Sequence, residues 1–174
     1  MARRAGDTLT KFGNGRRGRP VLTGALITMM LAGVGCSMMD ADQPRRDLPD
    51  SVPDVVSGGE MTAARTAFET GNFGFSARYF QQALETDPGN MEACLGLAAS
   101  YDWLYRFDLA DQAYGACRKI DDKNFLYYNN VGFSQLLRGE LGKASVNFSQ
   151  ADALSPGHPV VQTNLKIVRD ASDG

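Results

Sequence analysis

The chain has 174 residues, with 18 basic and 20 acidic side chains, one histidine and three cysteines. That length supports one modest domain, and the near balance of charge argues against the dense basic surface of a nucleic-acid binder. A lone histidine and three cysteines with no CxxC pair leave no metal-ligand spacing.

The first residues read separately from the rest. Arg3, Arg4, Lys11, Arg16, Arg17 and Arg19 stand against Asp7, and residues 21–35 (VLTGALITMMLAGVG) are apolar and uncharged. A basic start, a short apolar run and small residues before a cysteine read as a secretory signal over 1–35. The apolar run is shorter than the roughly 20 residues that cross a bilayer. Gly35-Cys36 resembles a bacterial lipoprotein cleavage site, which implies that Cys36 becomes the N-terminus and carries lipid. Ordinary cleavage among the small residues, or an uncleaved short anchor, is the alternative. Residues 1–35 hold six of the 18 basic and one of the 20 acidic groups, so the remainder has 12 and 19, a net of −7. Residues 36–59 carry Pro44, Pro49, Pro53 and several aspartates, end near Gly58-Gly59 and lack a helical or strand period. They are expected to form a disordered acidic tether.

From Glu60 the apolar spacing turns helical. Helices are predicted over 61–71, 75–85, 91–106, 108–120, 125–139, 143–154 and 160–171. Asp87-Pro88-Gly89-Asn90, Asp121 to Asn124 and Ser155 to Pro159 mark breaks between them. No strand-like alternation of useful length occurs. We read Cys94 and Cys117 as two small buried thiols at helix-packing positions. A single bridge between them, in an oxidising compartment, is the alternative.

The helices repeat with a constant offset of 34 residues. Gly71, Tyr105 and Gly139 share a column, as do Phe73, Phe107 and Leu141; Ser76, Ala110 and Ala144; Phe80, Tyr114 and Phe148; Ala83, Cys117 and Ala151; and Pro88, Asp122 and Pro156. A repeat decides the fold, because one helix pair cannot bury its apolar face alone and must stack on the next. Small Ala64, Ala98 and Gly132 allow close helix approach, and Phe80, Tyr114 and Phe148 fill the gap beyond. Gly71 and Gly139 end first helices, where a left-handed residue costs least. Tyr105 departs from that rule and is expected to need local adjustment. With these columns, the units 57–90, 91–124 and 125–158 resemble the tetratricopeptide repeat, and 159–171 resembles its capping helix. The expected fold is an all-α solenoid of three antiparallel helix pairs plus a C-terminal cap, over 60–171.

A lipoprotein-like start, an acidic tether and three such repeats also resemble the lipoproteins of Tad/Flp pilus assembly, the TadD family. Residues 129–144 and 163–168 resemble that family's Asn-Leu-Gly and Asn-Leu segments, with Val131 in place of the leucine. The resemblance implies a scaffold on the periplasmic face of the outer membrane, partnered by a secretin or pilus biogenesis protein. A pilotin, or an adaptor for other secretion, outer-membrane assembly or cell-wall and division machinery, is the alternative.

By resemblance to the repeat family, the concave groove is lined by first helices. The residues implied are Met61, Arg65 and Phe68; Leu95, Ala99, Asp102 and Trp103; Leu126, Asn129, Asn130, Phe133 and Leu137; and Thr163, Asn164 and Ile167. Asn130 and Asn164 hold equivalent places, where family members use an amide on a ligand backbone. The alternative is that both brace neighbouring helices. Only Arg65 is placed for a carboxylate clamp, so an amide-plus-aromatic groove is expected instead. Trp103 is either an exposed anchor or half-buried against Tyr105 and Phe107. No GxSxG, HExxH or phosphate-binding Gly-Lys pattern occurs, and His158 sits alone in a turn. The reading is non-enzymatic, with no cofactor, metal or small-molecule substrate.

Overall fold

The structure, a computed structural model, describes residues 46–173. The expected signal, Cys36 and the first part of the expected tether lie outside the described residues. Seven helices follow in order: α1 Glu60–Glu69, α2 Phe73–Thr86, α3 Met91–Trp103, α4 Phe107–Ile120, α5 Phe125–Leu137, α6 Leu141–Leu154 and α7 Pro159–Ser172. Each lies within a few residues of its predicted span.

The repeat register fixes the turns. Gly71 and Gly139 have φ of +77° and +75°, and Tyr105 between them has φ of +56°. In all three units the residue after this position closes back on the helix. Asn72, Arg106 and Glu140 donate their N–H groups to the carbonyls of Ala67, Tyr101 and Gln135 at 2.8–2.9 Å. Tyr105 therefore takes the left-handed conformation imposed by its neighbours' geometry, at a cost of about 1–2 kcal/mol that glycine avoids. The local adjustment expected at this position is the backbone itself, and the tyrosine ring packs edge-on to Phe107 at 6.0 Å.

The ends of the second helices also repeat. Asp87 and Asp121 share a column and both form side-chain turns: the Gly89 and Lys123 N–H groups donate to their Oδ1 atoms at 3.2 and 3.0 Å. The Asp121 turn does the stopping where Asp122 replaces the proline of the other units. Asn90 and Asn124, again one repeat apart, cap α3 and α5 by accepting from the Ala93 and Leu126 N–H groups at 2.9 Å each.

Packing follows the pairing. α1 packs on α2, α3 on α4, α5 on α6 and α6 on α7, while α2 packs on α3 across the first unit boundary. Phe80 of α2 and Phe148 of α6 are both wholly buried. Each ring lies over a glycine: a Cβ on Gly96 would sit 2.3 Å from Phe80 Cζ, and one on Gly132 would sit 2.8 Å from Phe148 Cδ1. The buried hydroxyls are satisfied. Ser100 donates to the Gly96 carbonyl at 2.7 Å and lies 3.0 Å from Ser76 Oγ, and Ser76 donates to the Ala64 carbonyl at 3.0 Å.

Two expectations are corrected. Cys94 and Cys117 are not separate thiols; they form a disulfide between α3 and α4, with Cα atoms 5.6 Å apart. The described part of the tether is not free either. Residues 46–56 form a strap against α2. The Arg46 N–H donates to the Leu104 carbonyl at 3.3 Å, Arg78 Nε donates to the Pro49 carbonyl at 2.9 Å, and the Tyr79 hydroxyl donates to the Pro53 carbonyl at 2.9 Å. Leu48 packs on the core of α3 and α4, and Val52 and Val55 on that of α1 and α2. A turn at Gly58, φ +82°, then leads into α1.

Candidate functional site

The first helices of successive units meet side by side: α1 touches α3, α3 touches α5, and α5 touches α7. They form one continuous face, and the expected groove residues fall on these four helices. They do not all reach solvent. Phe68, Asp102, Asn129 and Asn164 are buried, so they form the floor beneath the face and are not ligand contacts. Leu95 is also core. Trp103, Asn130, Phe133 and Leu137 are half-buried, and Ile167 is 43% exposed.

The accessible residues segregate by chemistry. Towards the first unit, the Arg65 Nε and Nη2 donate to Glu92 Oε1 and Oε2 at 2.6 and 2.9 Å. This two-point pair occupies the one cation expected to serve a ligand carboxylate. Sequence reasoning missed Glu92, because nothing local marks a partner on the next first helix. Towards the last unit, the face becomes apolar. Trp103 stacks on Phe73 with centroids 5.3 Å apart and 11° between planes, and lies 6.2 Å from Phe133. Trp103 is thus half-buried, but against Phe73 and not against Tyr105 and Phe107, which pack on each other.

The asparagines divide in role. Asn164 Nδ2 donates to Asn129 Oδ1 at 2.9 Å, and Asn129 Nδ2 donates to Asn130 Oδ1 at 3.3 Å. Asn164 is therefore a brace between α7 and α5. Asn130 ends the relay as the acceptor, its backbone carbonyl also accepts from the Tyr114 hydroxyl at 3.3 Å, and the residue is half-buried. His158 is also more than a surface turn residue, for its ring lies 4.6 Å from that of Phe125.

Beneath Trp103 lies a polar cluster across three helices. Asp102 is 2% exposed. Ser134 Oγ of α5 donates to its Oδ1 at 2.6 Å, and the Tyr114 hydroxyl of α4 donates to its Oδ2 at 2.8 Å. Arg138 Nη2 donates to Ser134 Oγ at 2.8 Å, and Arg138 also pairs with Asp111. Burial raises the Asp102 carboxyl to about 7; the Ser134 and Tyr114 hydrogen bonds and the nearby Arg138 charge oppose that rise, and Asp111 adds to it. A carboxyl raised in the folded state contributes stability below its unfolded value and loses it as pH rises through about 7. Stability is therefore expected to fall as pH rises from the ordinary carboxyl value of 3.8 to about 7, and to level off above it, in denaturant titrations. Asp102→Asn is expected to flatten that fall. An equally steep fall in the variant would exclude Asp102 as its source.

Among the described residues, no group of three or more His, Cys, Asp or Glu could hold a metal ion. None of their helices is long and apolar enough to cross a membrane.

Three paired units with a seventh helix closing the end make this the tetratricopeptide-repeat fold. No family model matches the chain, and no curated protein matches it. Solved structures do. The first such domain of human RPAP3 is 15% identical, with a TM-score of 0.60 over 67% of this chain and 92% of that one. The Yersinia enterocolitica type III secretion chaperone SycD, in complex with a peptide of the translocator YopD, is 20% identical, with a TM-score of 0.56 over 67% and 94%. The second domain of human RPAP3, in complex with the HSP70 peptide SGPTIEEVD, is 17% identical, with a TM-score of 0.56 over 64% and 92%. These likenesses establish the fold.

Proposed function

We propose that this chain is a non-enzymatic scaffold that binds a segment of a partner protein along the face built by α1, α3, α5 and α7. The observation that carries the reading is the accessible apolar run of Trp103, Phe133, Leu137 and Ile167 beside the half-buried Asn130. Half-buried aromatics held by stacking are pre-organised anchors, and an amide can pair with a backbone carbonyl. Two of the structural neighbours hold peptides, one from a secretion translocator and one ending in Glu-Glu-Val-Asp. Here the Arg65–Glu92 pair disfavours an acidic terminus, so the partner segment is apolar and bound along its length.

The scaffold is read as exported and lipid-anchored through Cys36 on the periplasmic face of the outer membrane, assisting assembly or localisation of Tad/Flp pilus components. The signal-like residues 1–35 and the lipoprotein-like Gly35-Cys36 support this, and the Cys94–Cys117 bridge suits an oxidising compartment. The test is a photo-crosslinker placed at Leu137 on the groove and, as control, at Gln150 on the exposed side of α6, in cells that build the pilus. An adduct with a secretin or pilus assembly protein from Leu137 alone is the expected result. Adducts only with cell-wall or division proteins would overturn the pilus assignment, and adducts only from Gln150 would overturn the groove. Asn130→Ala is expected to weaken the captured complex by about tenfold, the worth of roughly one hydrogen bond, and also to lower the melting temperature, because the buried Asn129 amide loses its acceptor, so binding is to be compared well below the melting transition. Undiminished binding would remove Asn130 from the site.

A further inference from the structure

The segment that runs into α1 behaves as a ligand of its own domain. Residues 46–56 contain no helix or strand, so their polar backbone atoms must find partners elsewhere or face water. Pro49 and Pro53 have no N–H to satisfy, and they present their carbonyls to Arg78 Nε and the Tyr79 hydroxyl. Leu48, Val52 and Val55 supply the apolar contacts. The seat is shaped for the occupant. A Cβ on Gly74 would lie 2.8 Å from Pro49 Cδ, whereas Gly142, two repeats later at the same place on α6, has nothing within 4 Å of such an atom. The same helix position is covered in the first unit and open in the last.

We propose that the solvent side of α2, around Gly74, Arg78 and Tyr79, is a docking site for a proline-punctuated, non-helical segment, and that residues 46–56 are its resident occupant. The strap serves as the N-terminal cap of the solenoid. Through Val52 and Val55 it covers apolar surface of the first unit, which at a solenoid end lacks a neighbouring unit, and through Leu48 it reaches the core of the second. It places Arg46 at the turn between α3 and α4, where its N–H meets the Leu104 carbonyl, and not beside the start of α1.

The glycine pair provides the test, in the full chain. Gly74→Leu is expected to displace the strap, lowering the melting temperature by about 5 °C and speeding tryptic cleavage after Arg46 by about tenfold. Gly142→Leu places the same side chain at the matching helix position in open space and is expected to leave both readouts unchanged. Leu48→Ser with Val52→Ser is expected to reproduce the Gly74→Leu result without touching α2. Wild-type melting and cleavage in both Gly74→Leu and the double serine variant would overturn the proposal. So would an equal loss in Gly142→Leu, because the effect would then belong to leucine in the helix and not to the strap.

Discussion

Phe80→Ala is expected to cost about 3–5 kcal/mol of folding stability. The ring is wholly buried between α2 and α3, and its slot exists because Gly96 has no Cβ. Removing the ring leaves a void beside Gly96 in a cluster whose other buried members are Ala64, Ala67, Tyr79, Ala83 and Ala93, four of them too short to fill it. A domain of this size holds roughly 5–15 kcal/mol in all, so the variant is expected to sit near the edge of folding. Urea titration followed by far-ultraviolet dichroism would show the loss. The same contact makes a second, sharper expectation. Gly96→Ala alone is expected to destabilise, because the new methyl meets the ring, but in the Phe80→Ala background it meets empty space and raises helix propensity by about 1 kcal/mol. The two changes are then non-additive, as direct neighbours are. Simple additivity in a double-mutant cycle would mean that the ring does not rest on Gly96.

Loss of the Cys94–Cys117 bridge is expected to be the next largest effect. The bonded residues are 23 apart in sequence, and closing a loop of that length in the unfolded chain is worth about 3 kcal/mol on the chain-entropy account. The bridge joins the two helices of the middle unit, so its removal loosens the one unit flanked on both sides. Reduction of the wild type, or the Cys94→Ala, Cys117→Ala pair, is expected to lower the urea midpoint to the same extent. Reduced and oxidised proteins that unfold at one midpoint would show that the bridge carries no stability.

The helices were legible because their signals are local. Glycines at 71 and 139, capping asparagines at 90 and 124, and breaks at 88 and 156 act within a turn of where they stand. Tyr105 shows the limit of that rule. Its chemistry argues against a left-handed residue, and only its register with Gly71 and Gly139 places it there. The strap was not legible, since Leu48, Val52 and Val55 recur at helical spacing but lie among Pro49 and Pro53, which a helix interior excludes. Its order comes from Arg78 and Tyr79, more than 20 residues away in sequence. The groove was half legible. Asp102 and Asn129 are polar residues at groove positions, which reads as exposure, yet each is buried because its partners arrive from other helices: Tyr114 and Ser134 for the first, Asn164 for the second. Distant pairing of this kind leaves no periodic trace. The cysteine spacing suited thiols and a bridge equally, and only the juxtaposition of α3 with α4 decides between them.

The polar cluster around Asp102 has a consequence for how the molecule comes apart. Stacked repeats hold each unit mainly through its neighbours and tend to fray from the ends inward. Here one carboxylate is shared among α3, α4 and α5, and a covalent link already joins the first two of these. The boundary between the second and third units is also the lightly packed one, for α2 packs closely on α3 whereas α4 meets α5 only sparsely. The third unit is therefore tied to the second by the hydrogen bonds on that shared group and by the Arg138–Asp111 pair. Trp103 and Phe133 face each other across the same seam.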